Sequence, residues 1–166
     1  MIRVFWVVLL LSGCTFQSNQ MDLILDFLNR EQESDYRWQA TVSNKTWILT
    51  AISTENLLIF MNDHGDALAF DGWTIRSLVG FGFGPSPLTI TKEEKNRVFK
   101  SESSVLQHSC GLWSKNEFDN GMSQLIQMCE GVNDYNNFIL LDKDGSIVRI
   151  DQVVTGDGYR IQLDKL

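Results

Sequence analysis

The chain is poor in the residues that most often carry chemistry. Its 166 residues include two histidines, three cysteines and two prolines. His64 and His108 lie far apart, and nothing near either has the spacing of a zinc site. No Gly-x-Ser-x-Gly elbow occurs, and no Ser-His-acid set follows from spacing. Long apolar runs are missing too. Phe5–Leu11 is the unbroken stretch at the start, well short of the roughly 20 residues of a membrane-spanning helix. Basic clusters are absent, and 14 Lys and Arg against 21 Asp and Glu give a net charge of −7. That balance excludes nucleic acid as a partner and gives no electrostatic hold on anionic lipid. These absences predict a protein that is not an enzyme, takes no cofactor and binds no metal.

Three stretches imitate ligand loops. Gly80, Gly82 and Gly84 lack the following helix of a phosphate cradle, since Pro85, Pro87 and a strand come next. They read instead as a bend where backbone passes close. Asp63-His64-Gly65-Asp66 and Asp142-Lys143-Asp144-Gly145 resemble calcium loops only superficially. With Gly145 at the sixth position of an EF-hand, Leu140 would fall on the first ligand position and could not coordinate. Both read as β-turns.

What is present begins with Arg3, the apolar run, and small Ser12 and Gly13 leading into Cys14. This is the order of a secretory signal. Leu11-Ser12-Gly13-Cys14 resembles the lipobox of bacterial lipoproteins, in which the cysteine is acylated and the signal is removed before it. The resemblance implies a signal over residues 1–13, lipidation at Cys14 and a polar tether over 14–21. A membrane anchor of several acyl chains would be durable where one is marginal. Thr15 in place of Asp points to the outer membrane. The remaining domain, residues 22–166, is large enough to bury a core without metals or disulfides.

Met21–Arg30 carries Leu23, Ile24, Phe27 and Leu28 at helical spacing, which predicts a short amphipathic helix. From Tyr36 the period changes to two, with many β-branched and aromatic residues. Strands are predicted at 38–42, 46–52, 57–62, 67–70, 74–79, 88–92, 97–101 and 104–110. Four more follow at 123–129, 137–142, 146–154 and 159–163. The fold class is all-β: a single antiparallel, strongly curved sheet (half-barrel, barrel or sandwich) with a short N-terminal helix.

Cys110 and Cys129 each end an apolar stretch and form an even pair in an oxidising compartment. If their strands are neighbours they can bond, closing a loop of about 20 residues worth roughly 3 kcal/mol. The other reading is two buried free thiols. Trp38 and Trp47 sit within strands and belong to the core. Trp73, beside a turn, and Trp113, between the cysteines, are the candidates for a ligand or partner surface.

Two blocks carry a wider resemblance. The first is Trp47-Ile-Leu-Thr50, Leu57-Leu-Ile-Phe60 and Asp71-Gly72-Trp73-Thr74-Ile75-Arg76-Ser77-Leu78-Val79-Gly80. The second is Asn137-Phe-Ile-Leu-Leu-Asp142, Gly145-Ser-Ile-Val-Arg149 and Gln152. They are similar to the hairpins of the YjbF/GfcB group of lipoproteins, associated with capsule and exopolysaccharide export. This chain departs from the group in being shorter, in Trp73 after Asp71-Gly72, and in lacking a C-terminal proline. The resemblance implies a curved β-sheet and a non-catalytic, outer-membrane, periplasm-facing accessory to polysaccharide secretion. Its implied partners are export proteins or the glycan itself. The alternatives are a general envelope scaffold, an inhibitor-type binding lipoprotein, and, third, a periplasmic enzyme.

Overall fold

The computed structural model describes residues 37–93 and 95–166. The expected signal, Cys14, the tether and the helix over Met21–Arg30 lie outside them.

Period-two patterning becomes thirteen strands. In order they are β1 (Arg37–Val42), β2 (Lys45–Ser53), β3 (Leu58–Met61), β4 (Ala67–Phe70), β5 (Ile75–Val79), β6 (Leu88–Glu93) and β7 (Asn96–Lys100). Then follow β8 (Val105–Cys110), β9 (Ser114–Glu117), β10 (Ser123–Glu130), β11 (Tyr135–Leu141), β12 (Ile147–Val153) and β13 (Arg160–Lys165). Each expected strand is found with ends displaced by two residues at most. The strand absent from the sequence reading is β9, whose four residues are all exposed and offer no apolar alternation.

The sheet is antiparallel throughout and closes on itself, which decides among half-barrel, sandwich and barrel. Neighbours in sequence pair from β1 to β8, and β1 also pairs with β13, aligning Ala40 with Leu163. The main-chain N–H of Leu166 donates to the carbonyl of Arg37, so the barrel's first and last strands finish side by side. Closure comes at β10, which pairs along one edge with β11 and along the other with β8 and then β9. β8 and β9 are two halves of one bent strand. Cys110 faces Cys129 and Ser114 faces Ile126, so the bend holds one residue more than the chain opposite, as in a β-bulge. Gly111 N–H to Met128 O, at 2.8 Å, carries the ladder through the bend. Counting that strand once gives a closed barrel of twelve.

Alternation decides what fills it. On β1, Trp38, Ala40 and Val42 point inward and are buried, while Arg37, Gln39 and Thr41 face out. The inward positions of the other strands add Leu49, Phe60, Phe70, Ile90, Ile150 and Ile161, each nearly inaccessible. Trp38 meets Phe60 edge-on with centroids 5.0 Å apart. Burying each large side chain contributes about 1.5–3 kcal/mol, so the interior is a packed core and not a pore.

Turn chemistry sets the hairpin registers. Asn62 Oδ1 accepts from the N–H groups of His64 and Asp66, and Asp142 Oδ1 from those of Asp144 and Ser146. The calcium-like stretches are thus side-chain-capped turns. The Gly80 region is a bend with an inserted aromatic. Phe81, 2% exposed, reaches the core against Trp47, and its N–H donates to Asp66 Oδ1. Gly80 has a φ of 83°, and a Cβ there would stand 2.1 Å from that same carboxylate oxygen. Only glycine fits.

Candidate functional site

Against the apolar core, one sector of the interior is polar. Gln127 on β10 faces Asn137 on β11, and Asn137 Nδ2 donates to Gln127 Oε1 at 3.2 Å and to Cys129 Sγ at 3.5 Å. Asn137 Oδ1 accepts from the N–H of Val153, while Gln127 Nε2 donates to the carbonyl of Gly111. Buried amides of this kind persist only when their hydrogen-bonding capacity is used.

Gln152, on β12 and fully buried, ties this sector to the opposite wall. Its Oε1 accepts from the N–H of Ile75 at 3.1 Å and from Arg97 Nη2 at 2.9 Å. Its Nε2 donates to the carbonyl of Trp73 at 2.7 Å. One side chain therefore holds the β4–β5 turn and the arginine of β7. The turn is braced from its other side by Asp71, whose Oδ1 accepts from the N–H groups of Trp73 and Thr74 and whose Oδ2 pairs with Arg76 at 3.4 Å.

Arg97 points inward from β7, 3% exposed. Its Nε and Nη1 have no hydrogen-bond partner among the described residues. Burial pushes the guanidinium down to about 10, opposed by Tyr135 and Asp71, so it is still a cation at neutral pH. His108 stands directly across from it on β8. The His108 ring lies 4.9 Å from Phe99 by centroids, and its Nδ1 shares a hydrogen bond with the Tyr135 hydroxyl at 3.0 Å. Burial lowers the His108 imidazole below its ordinary range, with a backbone bond to Gly156 opposing and Arg97 reinforcing the shift. Burial raises the Tyr135 phenol.

Two pairs of the residues singled out from sequence are each brought together. Trp73 and Trp113 lie with ring centroids 6.0 Å apart and planes inclined by 48°. Trp73 is half exposed, and Trp113 packs partly against the core at the strand bend. Cys110 and Cys129 form a disulfide across the β8–β10 seam, settling the choice between bond and free thiols. His64 is on the surface, 2.8 Å from Asp63. Cys14 lies outside the described residues, among which no cluster of three or more metal-ligating side chains occurs. Sequence reasoning missed Arg97, Gln152 and Asn137. The available signal was phase: Arg97 alternates with Phe99, and Gln152 with Ile150, so both fall on inward positions.

No protein-family model matches the chain, and no curated protein does. Among solved structures, its fold is similar to the crystal structure of the hypothetical lipoprotein YmcC from Escherichia coli. The TM-score is 0.52 at 10% sequence identity, over 87% of this chain and 93% of that one. At that identity the likeness is one of fold.

Proposed function

We propose that this chain is a lipid-anchored protein of the cell envelope, a member of the YjbF/GfcB group that assists capsule or exopolysaccharide secretion without catalysing a reaction. Acylated Cys14 holds it in the outer membrane, facing the periplasm. The observation that carries the reading is the fold likeness to a hypothetical lipoprotein over 87% of a chain that carries Leu11-Ser12-Gly13-Cys14. Gln152 adds support. It belongs to one of the two blocks that resemble the group, and its hydrogen bonds reach Trp73 and Ile75 in the other.

The Trp73–Trp113 pair is the surface through which the protein meets the glycan or an export protein. Indole faces stack on the apolar faces of sugars and anchor protein contacts equally well. A braced β4–β5 turn presents Trp73, and the bend between β8 and β9 presents Trp113, without a large ordering cost.

Two experiments test this. Cells fed labelled palmitate should label the wild-type protein, and Cys14→Ser should lose both label and membrane fractionation. Deleting the gene under polysaccharide-producing conditions should reduce surface polysaccharide. An unlabelled wild-type protein overturns the anchor, and unchanged polysaccharide overturns the export role.

A further inference from the structure

The two rims of the barrel differ. Successive hairpins alternate between them, so the β1–β2, β5–β6 and β12–β13 connections share one rim and the Trp73 turn stands at the other. At the first rim three residues continue inward-facing series. Val42 follows Trp38 and Ala40, Trp47 precedes Leu49 and Ala51, and Tyr159 precedes Ile161 and Leu163. Their side chains do not fill the mouth, and a cup of about 440 Å³ is left between them. That volume falls within the roughly 300–1,000 Å³ of small-ligand sites, for which barrel mouths are a recurrent place.

Rings wall the cup. Phe83 meets Tyr159 nearly edge-on, with centroids 5.9 Å apart and planes at 76°. Trp47, partly buried, meets Phe81 at 5.6 Å, and Phe81 is sealed into the core beneath. Tyr159 is half exposed but its backbone is pinned: its N–H donates to Thr155 Oγ1 and its carbonyl accepts from the N–H of Val154. The two-residue turn Ser43-Asn44 adds a polar lip of Asn44 and Lys45, both exposed, and Lys45 is the one charged residue lining the cup. Among the described residues, two that are not glycine hold a left-handed φ, Ser43 at 53° and Phe81 at 52°, and both line this cup. Such backbone costs energy for a residue with a side chain, and it gathers at ligand sites.

We propose that this cup binds a pyranose residue of a glycan, an acidic one in preference. Aromatic walls suit the C–H face of a sugar ring. The Asn44 amide, the Tyr159 hydroxyl and the Lys45 ammonium supply donors at the lip for its oxygens. A uronic acid carboxylate gains a charge-assisted bond from Lys45, with no lining carboxylate to oppose it. An acyl chain would need depth, which buried Phe81 denies. The site requires neither the lipid anchor nor a part in secretion, and it lies at the opposite rim from the Trp73 turn.

The test uses the full-length protein in a zwitterionic detergent, with nitrogen-15 in its tryptophan indoles. The Trp47 indole N–H resonance is followed while methyl glucoside, sodium methyl glucuronoside, cyclohexanol or sodium chloride is added at matched ionic strength. Saturable movement at Trp47 with both sugars, at several-fold lower glucuronoside, is the expected result. Silence at Trp47 with both sugars overturns the proposal. An equal response to cyclohexanol does so too, since it marks a merely apolar hollow. Movement confined to Trp73 and Trp113 also overturns it and moves sugar binding to the other rim. Tyr159→Ala should raise the sugar concentration at half-saturation several-fold, and Tyr159→Phe should restore most of the binding. Unchanged half-saturation in Tyr159→Ala overturns the proposal. Lys45→Gln should abolish the preference for the acid, and a preference that persists overturns the acidic-sugar assignment.

Discussion

Trp73 and Trp113, forty positions apart in the chain, stand side by side because two unrelated pieces of backbone engineering converge. Asp71 and Gln152 hold the turn that carries Trp73, and the bend between β8 and β9 carries Trp113. Their separation in sequence hides a surface that their separation in space makes plain. If that surface serves secretion, the two residues should fail together. Trp73→Ala should leave the fold intact, with a loss of stability of about 1 kcal/mol or less for a half-exposed ring. Surface polysaccharide should fall to a similar extent in Trp73→Ala, Trp113→Ala and the double variant. Normal polysaccharide in a stable double variant would remove the pair from the function.

Gln152 should be among the least replaceable polar residues. Gln152→Leu keeps approximate volume but strands the Ile75 N–H, the Trp73 carbonyl and Arg97 Nη2. Each unmatched buried group costs about 1–3 kcal/mol, so a total of at least ~3 kcal/mol is expected by urea denaturation. A change under 1 kcal/mol would mean that the network is replaced by water at little cost.

The seam between β8 and β10 is two register pairs long, Cys110 with Cys129 and Ser109 with Glu130. The covalent bond therefore supplies much of the barrel's closure at this point. Reduction, or Cys110→Ser with Cys129→Ser, should cost about 3 kcal/mol for a loop of 19 residues' separation. Hydrogen exchange should rise first in β8 and β9 and last in β1–β3. Uniform loss of protection would show that the seam is no weaker than the rest.

His108 gives the protein an acid-side weakness. Its folded value lies below the ordinary 6.5 because burial disfavours the charged ring. The unfolded chain therefore binds more protons between the two values, and stability rises with pH across that window. Acidification from about pH 6.5 downward should lower the melting temperature. His108→Phe should flatten that part of the profile while leaving the carboxylate-driven fall at lower pH.

Most of the barrel was legible because its physics is local. Ala67–Phe70 alternates, turns capped by Asn62, Asp71 and Asp142 punctuate, and strand follows strand. Closure was not, because the β1–β13 and β8–β10 pairings join segments far apart in sequence, and alternation does not say which edges meet. β9 was invisible for a different reason: Ser114-Lys115-Asn116-Glu117 is bound on one edge by β10, and its side chains bury nothing. Trp73 and Trp113 were visible singly, as aromatics near turns, but their contact was not. Arg97 looked like an ordinary strand arginine, and only its inward phase marks it out.

The pairing of β1 with β13, with Leu166 bonded to Arg37, means that the described barrel begins and ends at one spot on its rim. Circular permutation follows naturally: a short linker joining 166 to 37, with new termini opened in the Asp142–Ser146 turn, should keep every strand pairing intact. A fluorescent protein or affinity handle appended at Leu166 would sit beside the place where β1 starts, and one inserted at Lys143-Asp144 would leave that neighbourhood clear.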